Sequence, residues 1–270
     1  MNEDCAVCPL CGHGAFRELL KKSGRQLVHC RSCGLVRQFP MFPEAVRLAC
    51  WQGETRLPSG RTFVEHYQQG EVWRRELANL RLDQLRERHF DGGKLLDVGC
   101  ATGIFIDEAR KRGFQVQGID ISSTLAGYGR HHYGLDIREE DAAAASLEKG
   151  SFDVVTVFDV FSTMRSPLAA LQNIHSLLKP GGLIWLTACY ANLGLWLFKE
   201  ERPFNLYLTP RTMNAFLTRA GFSRGLARVV VKNANLPSLP GIRRLLYRIP
   251  VLNSLARKMV EALAWKGEGD

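Results

Sequence analysis

Five of the eight cysteines, Cys5, Cys8, Cys11, Cys30 and Cys33, cluster at the front of a 270-residue chain; Cys50, Cys100 and Cys189 are scattered beyond. Cys8-Pro9-Leu10-Cys11-Gly12 and Cys30-Arg31-Ser32-Cys33-Gly34 are near repeats, C-x-x-C-G, separated by the stretch from His13 to His29. Two thiolates separated by two residues can grip one metal ion from a tight turn, and the glycine that follows lets the backbone fold back towards the sulfurs. Two such knuckles complete a tetrahedron, and four thiolates with no open position imply a structural Zn2+, not a catalytic one. Cys5 also precedes Cys8 by two intervening residues, so a shifted register is an alternative, but only Cys8 and Cys11 match the second knuckle. Disulfides are the competing reading. They are disfavoured because Met1-Asn2-Glu3-Asp4 is acidic and does not start a secretory signal.

A second group of residues could hold an organic cofactor. Asp97-Val98-Gly99-Cys100-Ala101-Thr102-Gly103 reads as a glycine-rich turn from a strand into a helix, a geometry that also serves dinucleotides. Asp97 argues against a pyrophosphate and for a ligand carrying positive charge, since a carboxylate at that strand end repels phosphate. Asp120 follows at the end of the next strand, where an acidic side chain can accept both hydroxyls of a ribose. Glu140-Asp141-Ala142 and Phe158-Asp159 come further on. Cys100 reads as a small space-filler in the loop, not a nucleophile.

The elements that must position these residues follow from the apolar pattern. Strands are expected at Lys94–Val98, Gln115–Asp120, Phe152–Phe158, Leu183–Thr187 and Ala227–Val231, with a weaker one near Leu135–Ile137. Helices fall between, notably Gly103–Arg112 and Pro167–Leu178. Near-continuous Val, Ile and Leu strands separated by helices imply an α/β fold, a doubly wound and mostly parallel sheet with the ligand at the strands' carboxyl ends. The expected division is a zinc ribbon at 1–40, a helical lead-in at 41–90, the cofactor-binding domain at 91–232 and a basic amphipathic helical tail at 233–270. Within the lead-in, Glu71–Phe90 reads as an amphipathic helix packed over the cofactor side of the sheet.

At these motifs the chain resembles the class I S-adenosylmethionine-dependent methyltransferases, over roughly Gly93 to Val231. Leu95 through Gly103 is similar to that family's first motif, with Ala101 where glycine is commoner. The resemblance implies S-adenosylmethionine as cofactor. It places Asp97, Gly99, Cys100, Ala101 and Gly103 in the cofactor loop, Asp120 and Ile121 at the ribose, Asp141 and Ala142 at the adenine, and Phe158 and Asp159 near the methionine end. Leu177-Leu178-Lys179-Pro180-Gly181-Gly182-Leu183 is similar to the family's turn into the fifth strand. The front cysteines followed by this domain resemble a bacterial subgroup associated with sugar, polysaccharide or natural-product pathways.

Departures from the family pattern bear on catalysis. Many relatives carry Glu-His after the fourth strand, where this chain has Ser162-Thr163, and a histidine before a Leu-Tyr pair, where it has Asn205 ahead of Leu206-Tyr207. No catalytic base is assigned. Tyr190, Asn205 and Tyr207 are candidates to line an acceptor pocket, and His66 and Tyr67 to fold over the cofactor. His175 reads as a solvated or capping residue, and His131 and His132 as favourable charge at a helix C-terminus. Phe158-Asp159-Val160-Phe161 lacks the Asn/Asp-Pro-Pro-aromatic pattern used on base amines, and the region has no Pro-Cys nucleophile.

Composition sets the surroundings. With 46% apolar residues the chain is too hydrophobic for disorder. The uncharged run Leu183–Phe198, broken by Asn192 and Gly194, is too short and too interrupted for a membrane span. Of the formal +9, Gly241–Lys266 supplies +5, six basic residues against Glu261. That segment suits docking on the domain, on an anionic membrane surface or on RNA. The chain's end, Gly267-Glu268-Gly269-Asp270, reads as a turn, and the seventh strand usual in such domains is expected to be missing. The leading function is methylation of a hydroxyl on a small-molecule, glycan or lipid-linked acceptor by a cytoplasmic enzyme, with peripheral membrane contact through the basic tail. A zinc-ribbon ribosomal-RNA guanine methyltransferase is a rival. Nucleic acid is disfavoured but not excluded, since positions 1–40 carry only six basic side chains against three acidic. A non-catalytic cofactor-binding scaffold is the other rival.

Overall fold

The computed structural model describes residues 7–22, 25–41, 44–52, 60–191, 204–231 and 258–267. Cys5, residues 192–203 and the basic stretch 241–257 lie outside the described residues.

The chain enters as three antiparallel strands, β1 (Phe16–Lys22), β2 (Arg25–Cys30) and β3 (Val36–Phe39). Helices α1 (Glu44–Gln52), α2 (Phe63–Gln69) and α3 (Glu71–Arg86) follow. Thr62 starts α2 through a capping box, its hydroxyl taking the Glu65 N–H while Glu65 accepts the Thr62 N–H. The main domain then alternates β4 (Gly93–Val98), α4 (Ile104–Lys111), β5 (Phe114–Asp120), α5 (Ser123–Tyr133), β6 (Ile137–Glu139), β7 (Phe152–Phe158), α6 (Pro167–Leu177) and β8 (Leu178–Cys189). It ends with β9 (Leu206–Tyr207), α7 (Pro210–Arg219), β10 (Arg224–Val231) and β11 (Lys258–Trp265).

Seven strands make one sheet in the order β10-β11-β8-β7-β4-β5-β6. The strands from β8 to β6 are parallel, and β11 runs antiparallel to both of its neighbours. The order turns around between β4 and β7, which fixes the ligand crevice at the carboxyl ends of these strands. One face is covered by α3, α4 and α5: Ala78, Leu82 and Leu85 of α3 pack with Phe105, Ile106, Leu95, Val154, Trp185 and Leu263. The other face carries α6 and α7 over Leu96, Val155, Val157, Ile184 and Leu186.

Two features of the tail differ from the sequence expectation. The seventh strand is present: Met259 to Trp265 pair with Cys189 to Leu183 on one side, and Lys258 to Trp265 with Val231 to Arg224 on the other. The stretch expected to continue a helical tail is therefore β-strand at 258–265. Its Met, Ala, Leu and Glu are good helix formers, but a slot between two strands overrides propensity, and the alanines fit a strand buried on both faces. The second concerns Glu261, counted above only as the acidic residue of a basic segment. It is 8% exposed, accepting from Trp185 Nε1 at 3.2 Å and pairing with Arg228.

The cysteine-bearing front is built into the domain. Cys8, Leu10, Cys30 and Leu35 belong to the same buried cluster as Phe161, Leu206, Met213 and Phe216. The Arg219 guanidinium of α7 donates to the carbonyl of Leu10. β9 completes the front sheet, in the order β1-β2-β3-β9. Among the described residues no helix is long and apolar enough to cross a membrane.

Candidate functional site

β4 ends in a buried carboxylate. Asp97 is 5% exposed, and its Oδ1 accepts from Thr156 Oγ1 on β7 at 2.7 Å. Burial pushes its pKa up to about 7, opposed by the Thr156 bond and the charge of Arg81. The chain then makes its sharp turn. Gly99 has φ 72°, and a Cβ there would meet Val160 Cγ1 at 2.7 Å. At Gly103, φ 81°, a Cβ would meet Leu135 at 2.5 Å. Ala101 takes the left-handed conformation, φ 52°, at the position where glycine was expected; an L-residue there bears strain that glycine does not. The Cys100 sulfur fills the space beside Gly118, where a Cβ would come within 2.6 Å of it.

Asp120, at the end of β5, holds the loop. Its Oδ2 accepts from Ala101 N and its Oδ1 from Ser122 N, both at 2.8 Å. Burial raises its pKa despite those two bonds. Ile121 leads into α5, which Ser122 caps. Ala142, after β6, is buried, whereas Asp141 is exposed and closes its own turn by accepting from Ala143 N at 2.8 Å.

The end of β7 supplies the opposite wall. Phe158 packs edge-on against Phe105 and Trp185. Asp159 adopts φ 65°. Thr187 of β8 clamps it, its Oγ1 accepting from Asp159 N at 3.0 Å and donating to Asp159 Oδ1 at 3.1 Å.

Two arginines of α3 join this wall, and the sequence reading missed both. The Arg81 guanidinium lies 3.7 Å above the Phe158 ring and makes no hydrogen bond or ion pair among the described residues. Burial lowers its pKa, opposed by Asp159, Asp97 and Glu261. Arg74 stacks 3.8 Å over Tyr67 and 4.4 Å over Trp73. Tyr67 therefore reaches the site, and burial pushes its hydroxyl up to about 12, with Asp120 and Asp159 adding to the rise and Arg74 opposing it. His66 stays exposed. Burial of Ala78, Leu82 and Leu85 defines the inner stripe of α3 and places Arg74 and Arg81 on it at helical spacing. Val72, in the first turn of α3, is 72% exposed.

Several acceptor candidates are absorbed by the fold. Asn205 is 1% exposed, with its N–H on Ser162 O and its amide on Thr163 O. Tyr207 packs with Leu27, Val36 and Cys189 of the front sheet's cluster. Ser162 Oγ takes the N–H of Cys189 at 2.8 Å. His175, half-buried in the last turn of α6, lies edge-on to Phe222 beneath Gly221. His131 and His132 are exposed in the last turn of α5.

The front cysteines converge. The sulfurs of Cys8, Cys11, Cys30 and Cys33 all lie within 4.8 Å of one another, with Cys8 to Cys33 and Cys11 to Cys30 each at 3.5 Å. Tetrahedral thiolates about 2.3 Å from a zinc ion stand roughly 3.8 Å apart, so the set fits that ion. Gly12 and Gly34, after each second cysteine, have φ 75° and 81°, and their N–H groups return to Cys8 O and Cys30 O. Burial pushes the Cys8 thiol up to about 11 and raises Cys33 further. At Cys11 burial is outweighed by the His13 N–H and the neighbouring thiols, which bring it down to about 7. Four thiols facing one another in a partly buried cluster favour a cation among them.

A mostly parallel sheet with the buried Asp97, the half-buried Asp120 and the half-buried Arg81 guanidinium at its switch point defines an α/β protein with a charged crevice at the carboxyl ends of its strands. The chain belongs to the methyltransferase-domain family, whose profile matches residues 65–224. It is 32% identical over 130 residues to the ubiquinone biosynthesis O-methyltransferase of Paraburkholderia xenovorans, covering 46% of this chain and 56% of that protein. It is 32% identical over 149 residues to the enzyme of that name from Pseudomonas aeruginosa, covering 52% and 64%. The chain thus spans between half and two thirds of the length of these relatives. Among solved structures it is similar to a possible histamine N-methyltransferase of Thermotoga maritima, with TM-score 0.55 and 18% identity over 76% of this chain and 96% of that one. It also resembles a Methanosarcina mazei methyltransferase, with TM-score 0.53 and 18% identity over 66% and 93%. These likenesses bear on the fold.

Proposed function

We propose that the protein is an S-adenosylmethionine-dependent O-methyltransferase acting on a hydroxyl of a small-molecule, glycan or lipid-linked acceptor. The observation that carries this reading is the pair of carboxylates at the ends of adjacent strands, the buried Asp97 and the half-buried Asp120, with Arg81 unpaired among the described residues beside them. That set complements a zwitterionic nucleoside: Asp120 for the ribose hydroxyls, Asp97 for the ammonium and Arg81 for the carboxylate, with Ala142 at the adenine. The choice of oxygen rests on the names of the curated relatives.

The cofactor supplies an electrophilic methyl group on a sulfonium. The chain's contribution is to hold that ligand, exclude water and present the acceptor in line, which lowers the barrier mainly by positioning. Ser162, Thr163 and Asn205 are committed to main-chain bonds, so none of them serves as the proton acceptor for the hydroxyl. Zn2+ on Cys8, Cys11, Cys30 and Cys33 is structural, since no ligand position is left for substrate.

The test is transfer of labelled methyl from S-adenosylmethionine to a panel of phenols, sugars and lipid-linked alcohols. The reading requires an O-methylated product with the wild type and its loss with Asp97→Ala. Methylation only of nitrogen, or of RNA, would refute it.

A further inference from the structure

The four-cysteine module meets the main domain in its shared buried cluster, at the Arg219 bond to Leu10 O and along one strand pairing. β3 and β9 pair at Val36 with Tyr207 and Arg37 with Leu206, and the next residue, Gln38, donates its N–H to Asn205 O at 2.9 Å. Asn205 spends its other groups on the turn that follows β7. Its N–H goes to Ser162 O at 2.8 Å and its side-chain amide to Thr163 O at 3.4 Å. Thr163 in turn gives its N–H and its hydroxyl to Val160 O, at 2.8 and 2.7 Å. Val160 is the residue packed into the hollow of Gly99 in the cofactor loop. Ser162 also holds the end of β8 through the N–H of Cys189. A continuous path therefore runs from the cysteine knuckles to the turn beside the cofactor loop.

β9 is only two residues long, and its ladder partner is β3. A two-residue strand does not hold its own conformation, so Leu206 and Tyr207 lean on β3, while Leu208 is held at the end of β8, giving its N–H to Cys189 O and accepting from Ala191 N, both at 2.8 Å. β3 is tied to the cysteine cluster by bonds: Cys30 gives its N–H to Leu35 O at 2.9 Å and the Arg37 guanidinium donates to Val7 O, next to Cys8, at 3.0 Å, while the front sheet's own cluster holds only Leu27, Val36, Cys189 and Tyr207 as buried members. The cofactor end has a different support. Asp120 and its bonds to Ala101 and Ser122 lie within the main sheet, with no front-module residue among them.

We propose that the four-cysteine module is a positioning device for the buried 161–163 turn, with residues 204–207, behind the methyl-transfer site, and that Asn205 is the positioning residue that transmits it. The proposal rests on the methyltransferase reading for the methyl-transfer site; the mechanical coupling stands on the bonds themselves. Asn205, at the position where many relatives have a histidine, thus acts by bonding: its main chain joins Gln38 to Ser162, and its side-chain amide holds Thr163 O.

The test is amide hydrogen exchange, read by mass spectrometry on the full chain, with S-adenosylhomocysteine titrated in parallel. Three samples are compared: zinc-loaded wild type, wild type stripped of metal by an organomercurial and chelator, and zinc-loaded Asn205→Ala. Stripping the metal is expected to speed exchange about tenfold or more at 161–163 and 204–207 while 97–103 and 118–122 change less than about twofold. S-adenosylhomocysteine affinity should stay within about threefold. Asn205→Ala should reproduce the change at 161–163 with the metal still bound. If that variant fails to fold, Gln38→Pro, which deletes the N–H given to Asn205, carries the same expectation. Faster exchange confined to 8–39, or simultaneous loss at the cofactor loop and of ligand affinity, would overturn the proposal. So would an unchanged 161–163 turn in the variant. A zinc-loaded wild type that binds no S-adenosylhomocysteine would count against the function proposed above, while the exchange pattern would still decide this one.

Discussion

Asp97 is the residue whose protonation the fold disturbs in a readable way. Its pKa of about 7 lies above the ordinary value of 3.8, so the folded chain without ligand favours the protonated form. The stability this group contributes is fully present below 3.8 and is lost as pH rises through about 7. A bound ammonium draws the group back to its ionised form. S-adenosylhomocysteine should therefore bind more tightly as pH rises through about 7 and level off above it, in calorimetric titrations at constant ionic strength. Asp97→Asn should flatten that profile and weaken binding at pH 8 by roughly tenfold, about 1.4 kcal/mol. Ala101 offers a prediction of opposite sign. Its left-handed backbone costs about 1–2 kcal/mol, and glycine relieves this while adding about 0.5–1 kcal/mol of unfolded-state entropy, so Ala101→Gly should raise urea stability by roughly 0.5 kcal/mol. Both residues were visible in the sequence because their motif is local. Arg81 was not: a lone arginine among charges becomes notable only when the buried stripe of α3 shows which way it faces.

At the scale of elements, what was legible depended on how local the cause was. Phe152–Phe158 was read at its observed bounds, and β4, β5 and α6 to within a residue or so, since each is an unbroken apolar or amphipathic run closed by a turn signal. β11 was misread because its cause is remote: two strands far back in the chain leave a slot, and only their presence makes Met259–Trp265 extended. β9 and its pairing with β3 have no sequence signal at all, being two residues long. The consequence for β11 can be measured. Glu261→Ala leaves the buried Trp185 Nε1 without an acceptor and should cost about 1–3 kcal/mol in urea unfolding. A chain ending at residue 257 unpairs both β8 and β10 and should not fold to a cooperative transition. Retained cooperativity in that truncation would mean that the sheet does not need its antiparallel strand.

For the molecule as a whole, the central claim is that a cofactor site at the switch point of the sheet takes a charged nucleoside, with the four-cysteine module bonded to the turn beside it. The measurement that bears most directly is calorimetric titration of the zinc-loaded protein with S-adenosylhomocysteine, repeated on Asp120→Ala. The site described here predicts micromolar binding by the wild type, weakened about tenfold or more in the variant, a loss of at least roughly 1.4 kcal/mol. Absence of binding by the folded, zinc-loaded wild type, or equal affinity in the variant, would contradict it.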